Sequence, residues 1–317
     1  MGINPQFVIT ADDANITNLL APRLISLRLH DEAGSKSDTL EIELADDGIA
    51  IPPTGAKLRC WIGYDGSASD MGLFIVDEIE VSGPPDRMVI RGKAAPLDIV
   101  GHMQTQKSRS WDDGTLLGDL VKRIAADHGL IPKISDALAA IVLPHIDQTK
   151  ESDINLVTRI AREYDAVAKP AGGYLVVVGR GTSNISGITI SPDMISGWSV
   201  TINKRDPSGT VIATWYDVST ATTAEISAGS GEPIKRIKNH YPSQAAASAA
   251  VKAAYKRGNR ASKSLSLSLP GDTRFIAEGK LLLVGFKEVV DGEWLISSVD
   301  HEVSSAGYRC SISAQAE

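Results

Sequence analysis

The sequence predicts a mainly β protein of the α+β class: two similar antiparallel β-barrel domains flank a small α+β domain, and a helical insertion interrupts the C-terminal barrel. Three observations carry this. Apolar and polar residues alternate with period two over the first hundred residues and again near the end. Between about 110 and 165 the apolar spacing lengthens to that of an amphipathic helix. Three strand-like segments of the first region then recur, in the same order, in the last. The boundaries read as 1–100, 101–185 and 186–317, with the insert at about 232–260. A length of 317 residues suits two or three such domains.

Taken in order, T-L-E-I-E-L-A-D puts Leu40, Ile42 and Leu44 on one face and Glu41 and Glu43 on the other. K-L-R-C-W-I-G-Y does the same with Leu58, Cys60, Ile62 and Tyr64. One apolar and one polar face describe half-buried antiparallel strands. Turn chemistry falls at Asp46-Asp47-Gly48, Asp65-Gly66 and Gly83-Pro84-Pro85. Thr115 reads as the N-cap of a helix with the stripe Leu117, Leu120, Val121, Ile124 and Ala125, stopped by Gly129. An extended piece near Leu143–Asp147 precedes a second helix from about Asp153 to Tyr164. Its buried face holds Ile154, Val157, Ile160, Ala161 and Tyr164, with Arg159, Arg162, Glu163 and Asp165 toward solvent. Gly172-Gly173 turns into the strand Y-L-V-V-V-G. The segments W-S-V-T-I-N, T-V-I-A-T-W-Y-D-V, S-L-S-L-S-L and Y-R-C-S-I-S-A read as strands of the last domain. Among them, P-S-Q-A-A-A-S-A-A-V-K-A-A-Y-K-R-G-N is an alanine-rich helix capped by Ser243, with Lys256 and Arg257 in its last turn and Gly258 at its end.

Self-similarity is the most informative pattern. G-L-F-I-V-D-E-I-E at 72–80 aligns with G-E-W-L-I-S-S-V-D at 292–300, matching Gly72 to Gly292, Phe74 to Trp294, Ile75 to Leu295 and Val76 to Ile296. Upstream, K-L-R-C-W-I-G-Y at 57–64 answers to K-L-L-L-V-G-F at 280–286. Leu40, Ile42 and Leu44 answer to Leu265, Leu267 and Leu269. A chain with two copies of one barrel presents six similar modules in a closed trimer, so a threefold object can dock on a sixfold ring.

Chemistry-bearing residues concentrate at 145–165, H-I-D-Q-T-K-E-S-D-I-N-L-V-T-R-I-A-R-E-Y-D, with carboxylates at Asp147, Glu151, Asp153, Glu163 and Asp165. His145 and Asp147 stand two apart on an extended piece and share a side, which makes them the candidate pair for acid–base or metal chemistry. Two ligands do not make a metal site, and His30, His102, His128, His240 and His301 are scattered singly. No catalytic, cofactor-binding or metal residue is therefore assigned. Asp147, Gln148 and Ser152 are expected to satisfy turn and helix-start amides, with Ser152 or Asp153 as the cap. Arg159 and Arg162 are expected to pair with acidic groups on a neighbouring element or subunit.

The sequence holds no G-x-S-x-G, H-E-x-x-H or P-loop motif. G-R-G-T-S at 179–183 follows a strand without opening a helix, so it is not read as a phosphate loop. A net charge of −7, a pI near 5.5 and 5% aromatic residues disfavour a nucleic-acid grip. The basic cluster Lys235, Arg236, Lys238, Lys252, Lys256, Arg257, Arg260 and Lys263 reads as a solvated helix face or a contact with an acidic partner, with a contact to DNA as the alternative. Cys60 and Cys310 lie in strand-like segments without a CxxC pattern and read as buried apolar residues. No basic stretch followed by an apolar run marks the N-terminus. No apolar run reaches the roughly 20 residues of a membrane helix, so a soluble protein of the reducing cytoplasm is expected, with no membrane insertion.

The 145–170 run, ending R-I-A-R-E-Y-D-A-V-A-K-P, resembles the hallmark segment of the phage late control gene D family. The same pattern, looser, occurs in VgrG spike proteins of type VI secretion. S-D-T-L-E-I-E-L at 37–44, G-L-F-I-V-D-E-I-E at 72–80, I-R-G-K-A-A at 90–95, R-S-W at 109–111, T-L-L-G-D-L-V at 115–121, A-T-W-Y-D at 213–217, S-L-P-G at 268–271 and V-D-G-E-W at 290–294 continue it over nearly the whole chain. The resemblance implies a structural baseplate hub of a contractile phage tail or tail-like particle, not an enzyme and without cofactors. It implies a homotrimeric symmetry adaptor that joins the sixfold tail tube to the threefold central spike around the DNA channel. Its implied partners are the tube protein, the spike and other baseplate proteins, with the tape measure protein as a further candidate. No specific nucleic-acid binding is implied. The implied location is the virion tail baseplate after synthesis in the host cytoplasm. Because the last strand is followed only by A-Q-A-E, the spike is expected as a separate chain. Two other readings are a VgrG-like secretion component and a cell-wall hydrolase using His145 and Asp147.

Overall fold

The computed structural model describes residues 4–34, 37–94, 103–171, 173–181, 187–202, 209–217, 220–260 and 262–316. Ala95, His102, Gly172, the Thr182-Ser183 end of the glycine-rich loop, Asn203 and Val218 lie outside the described residues.

Alternation builds the N-terminal part. Strands β1 (Pro5–Ala11) and β2 (Ala14–Asn15) precede a short helix α1 (Thr17–Leu20). Then come β3 (Leu24–Glu32), β4 (Thr39–Ala45), β5 (Lys57–Tyr64), β6 (Ser67–Ser82) and β7 (Arg87–Ala94). Leu40, Ile42 and Leu44 are buried, while the intervening glutamates reach the outer face. There Arg91 answers Glu41 at 2.9 Å, Glu78 at 2.6 Å and Glu80 at 3.0 Å.

The middle unit runs β8 (Gln106–Trp111), α2 (Leu117–Asp127), β9 (Ile131–Ile134), α3 (Asp136–Ala139), β10 (Ile146–Ser152), α4 (Asp153–Glu163), β11 (Ala166–Ala171) and β12 (Tyr174–Gly179). β8 pairs with β10, and β12 lies between β11 and β9. The apolar stripes of α2 and α4, with Met103, Leu143, Leu175 and Val177, enclose a core of their own. Thr115 does not cap α2. Its hydroxyl donates to Asp112 O at 2.6 Å, and the helix starts past Leu116 without a side-chain cap.

The C-terminal part comprises β13 (Ile188–Ile190), β14 (Gly197–Ile202), β15 (Thr210–Asp217), β16 (Thr222–Gly229), β17 (Ile234–Tyr241), α5 (Gln244–Arg260), β18 (Lys263–Pro270), β19 (Lys280–Leu283), β20 (Gly292–Ser304) and β21 (Gly307–Ala316). The insertion is larger than the 232–260 expected from its helix. β15, read as a strand of the last barrel, pairs instead with β16 and β17 in a separate sheet. That sheet carries α5 over a small core of Val211, Ala213, Tyr241, Ala247, Ala250 and Val251. Alternation shows that a segment is a half-buried strand and is silent on which strand it joins. Ser243 does cap α5, accepting from Ala246 N at 3.3 Å.

The remaining strands form one ladder in the order β14-β18-β21-β20-β3-β4-β7-β6-β5-β1-β2, with β19 on β20 and β13 on β19. The N- and C-terminal parts therefore meet at a β3–β20 seam. They share one apolar cluster that includes Leu27, Leu29, Ile42, Phe74, Leu267, Trp294, Val299 and Ile312.

Segments that align in sequence also align in pairing. β5–β6 matches Lys57 to Ile75, Leu58 to Phe74 and Cys60 to Gly72. β19–β20 matches Lys280 to Leu295, Leu281 to Trp294 and Leu283 to Gly292. Leu40, Ile42 and Leu44 face Gly92, Ile90 and Met88, as Leu265, Leu267 and Leu269 face Ala314, Ile312 and Cys310. Both long strands shift register after the equivalent residues Val76 and Ile296. Each of these carbonyls accepts from a residue with positive φ, Gly55 at 2.8 Å and Glu278 at 2.9 Å. The repeat extends to the irregularities of the backbone.

Candidate functional site

The charge-rich stretch of β10 and α4 is organised around one carboxylate. α4 begins where it does because Ser152 Oγ accepts from Asn155 N at 3.4 Å, satisfying one of the free amides of the first turn. Asp153 is the next residue, at the helix end whose dipole favours a negative charge. It is fully buried. Lys107 Nζ donates to its Oδ2 at 2.7 Å, and His128 Nε2 lies 2.8 Å from the same oxygen. Arg109 Nη2 and Gln148 Nε2 donate to Oδ1, each at 2.7 Å. Lys107 and Arg109 share a face of β8 because they are two residues apart, Gln148 comes from the paired strand β10, and His128 ends α2. Gln148 also accepts from Arg109 Nε at 2.8 Å and donates to Glu151 O at 2.9 Å. Arg109 reaches Asp127 at 2.7 Å and lies over the Trp111 ring at 4.6 Å.

Burial pushes the Asp153 carboxyl up, but hydrogen bonds from Lys107, Gln148 and His128 and the Arg109 charge outweigh it and hold the group at about 2. A carboxylate with both oxygens filled by donors stays ionised at neutral pH and is no proton acceptor for a substrate. Its physical effect is to tie β8, β10, α2 and α4 together. The sequence reading anticipated a cap at Ser152 or Asp153. It missed the buried cluster, because three of its four donors come from other segments.

His145 and Asp147 are brought together, Nε2 to Oδ1 at 3.2 Å, with Ser110 Oγ donating to the same carboxylate at 2.7 Å. Both side chains are more than half exposed. Arg159 pairs inside the stretch, with Glu151 at 2.8 and 3.0 Å. Arg162 contributes its carbonyl, which accepts from Arg257 Nη1 at 3.3 Å. Asp165 accepts from Arg260 Nη1 at 3.0 Å and also pairs with Nη2 of the same guanidinium. The expected basic cluster is thus divided: Arg257 and Arg260 bind α5 to the middle unit, and Arg236 pairs with Glu225 at 2.5 Å.

A second joint lies where the middle unit meets the large sheet. Lys169 Nζ donates to Asp38 Oδ1 at 2.6 Å and to Glu32 O at 3.0 Å, and stands 3.5 Å from Asp31. It borders a cavity of about 450 Å³ lined also by Leu29, Met71, Val176 and Ala277. Burial raises the Asp38 carboxyl to about 6, with Lys169 opposing and Asp31 adding to the rise. Arg180 pairs with Glu278 at 3.0 Å.

Cys60 and Cys310 are buried, and Cys310 adjoins the buried His301. His301 Nε2 faces the carbonyl of Phe275 at 3.1 Å, so that nitrogen carries the proton and Nδ1 accepts from Tyr308 OH at 2.8 Å. Cys310 Sγ lies 3.2 Å from the same Nδ1. Burial lowers His301 and pushes the Cys310 thiol up to about 11, the opposite of what a nucleophilic pair requires. Among the described residues, no group of three or more His, Cys, Asp or Glu side chains is arranged to hold a metal ion.

The fold is one found in phage tail proteins. The 43 kDa tail protein of prophage MuSo2 from Shewanella oneidensis superposes with a TM-score of 0.76 at 13% identity, covering 98% of each chain. An E. coli component of the type VI secretion system, described as structurally similar to the T4 tail proteins gp27 and gp5, superposes with a TM-score of 0.57 at 12% identity over 93% of this chain and 74% of that one. No protein-family model matches the chain. Sequence narrows the class: the probable baseplate hub protein of Escherichia phage 186 is 31% identical over 360 residues, covering 96% of this chain and 91% of the relative. The chain belongs to the baseplate hub protein family of phage tails.

Proposed function

We propose that this hub protein is a structural, homotrimeric symmetry adaptor in the baseplate of a contractile phage tail or tail-like particle. Its two strand repeats act as two barrel modules per chain, six per trimer. They join the sixfold tail tube to a threefold central spike, around the channel through which DNA leaves. The observation that supports this is the duplicated pairing register within one chain, with both copies in a single ladder. Duplication lets three chains present six similar surfaces. The charged joints fit a load-bearing role: Asp153 ties the middle unit together, Lys169 fixes that unit to the ladder, and Arg260 clasps the α5 insert to the middle unit. Other baseplate proteins are the expected neighbours, and the tape measure protein is a further candidate.

The test is assembly. The purified chain, alone and with its tail tube protein, is measured by light scattering and imaged by electron microscopy. A trimer, or a ring seated on the tube, is expected. A chain that stays single in both conditions overturns the adaptor reading. The hydrolase reading rests on the 3.2 Å His145–Asp147 contact alone. Peptidoglycan digestion by the pure protein, abolished by His145→Ala, would establish it.

A further inference from the structure

The seam that joins the two repeats within one chain has an unfilled counterpart. At the seam, β3 pairs with β20, placing Leu27 opposite Val303, Leu29 opposite His301 and Asp31 opposite Val299. In the repeat, β6 is the equivalent of β20. Likewise β14 is the equivalent of β3, since Trp198 and Val200 face Leu267 and Leu265 as Leu27 and Leu29 face Ile42 and Leu40. Among the described residues, the Glu78–Ser82 part of β6 pairs only with β7, and β14 pairs only with β18. Each has one open edge, and these are the two edges that the internal seam would fill in the other copy.

Exposure marks the same edges. Core-facing residues of the filled seam are sealed: Leu27, Val299 and His301 are 0% exposed and Leu29 is 2% exposed. On the open edges, Val81 is 51% exposed, Trp198 39% and Ile202 55%. Apolar side chains in core positions with no strand over them describe a sheet cut at a joint, and an open apolar edge is a template for another strand.

We propose that β14 of one chain pairs antiparallel with the end of β6 in a second copy, in the register of the β3–β20 seam. This deepens the homotrimer reading and rests on it. The transferred register puts Val200 opposite Val81 of the neighbouring copy, Ile202 opposite Ile79, and Ser199 opposite Ser82. The contact is head to tail, because β14 and β6 are different surfaces, so repetition generates a ring when the rotation closes. Three copies then give six seams, alternating between bonds within chains and bonds between them. The outer surface would change from seam to seam. The internal one carries Arg28 beside Glu302 at 3.4 Å and His30 beside Asp300 at 2.7 Å, whereas the serines Ser199 and Ser82 would meet in the other.

The register selects a disulfide probe. Ala33 donates to Ser297 O at 2.9 Å, which makes Ala33–Ser297 and every second pair from it hydrogen-bonded. Arg28–Glu302, and so Ser199–Ser82, is then a non-hydrogen-bonded pair, whose roughly 4.5 Å Cα separation lies within disulfide range. The full-length Ser82→Cys/Ser199→Cys variant is oxidised and run on a denaturing gel without reductant, beside a light-scattering mass for the unmodified chain. The native cysteines are buried and give little background. Covalent species up to the trimer are expected, reversed by reductant. They are expected to be absent from Ser82→Cys/Ser266→Cys, which moves one cysteine a strand further in. A trimer that forms no Ser82–Ser199 bond, or one that crosslinks equally well through Ser266, overturns the edge pairing and leaves the trimer reading standing. A chain that is single by light scattering and does not crosslink overturns both.

Discussion

Replacing the buried Asp153 by asparagine tests whether the charge cluster holds the middle unit together. Asp153→Asn keeps the shape but removes the negative charge, leaves one acceptor where two stood, and turns an amide N–H toward Lys107 or Arg109. The lower bound follows from the depressed carboxyl pKa. Holding the carboxyl at about 2 against an ordinary 3.8 corresponds to about 2 kcal/mol favouring the ionised folded state, at roughly 1.4 kcal/mol per pK unit. Removing one partner of a buried ion pair costs about 3–5 kcal/mol in general. A loss of about 2–4 kcal/mol is expected, read by urea unfolding of the full chain at neutral pH. The pH dependence follows from the lowered folded value. Between 3.8 and about 2 the unfolded chain binds the proton more readily, so this contribution is complete above that window and is lost as acid carries the pH down through it. The variant should lack that part of the acid limb. Asp153→Asn within about 0.5 kcal/mol of the parent, the spread of ordinary surface changes, with an unchanged acid limb, would refute the reasoning.

Asp38 predicts the opposite slope. Its folded value is raised to about 6, so the folded chain binds the proton more readily and stability falls as pH climbs from 3.8 through 6; Asp38→Asn should flatten that decline in urea midpoints taken across the window. Gly271→Ala places a methyl 2.2 Å from Tyr308 Cγ, against the ring that hydrogen-bonds His301, and should cost about 1–3 kcal/mol in a thermal melt. Arg260→Ala removes the clasp on Asp165 and should speed hydrogen exchange across Gln244–Arg260 while leaving β18 and β21 protected.

The ladder was legible where short-range pattern decides structure. Gly72 and Gly292, Phe74 and Trp294, and the leucine triplets align by residue type, and their cross-strand partners coincide in the fold. The helices at 117–127 and 153–163 followed from their stripes. What escaped depends on contacts between distant segments. T-V-I-A-T-W-Y-D-V alternates like any strand of the ladder, yet β15 pairs with β16 and β17 under α5. Asp153 looked like a cap residue among other carboxylates. Lys107 and Arg109 on β8 and His128 after α2 converge on it only once β8 and β10 pair. Arg260 looked like part of a solvated face until Asp165 was placed beside it.

The seam between β3 and β20 joins residues very far apart along the chain; His30 and Asp300 meet across 270 positions. During synthesis β3 therefore emerges almost a full chain length before the strand that covers it, and long-range pairing of this kind folds slowly. Until β20 is made, the first half displays a bare apolar border of the kind that captures stray strands. A transcript truncated anywhere before Gly292 would leave that border permanently open. The order of synthesis thus sets how long β3 stays bare: its cover, β20, is made some 270 positions later.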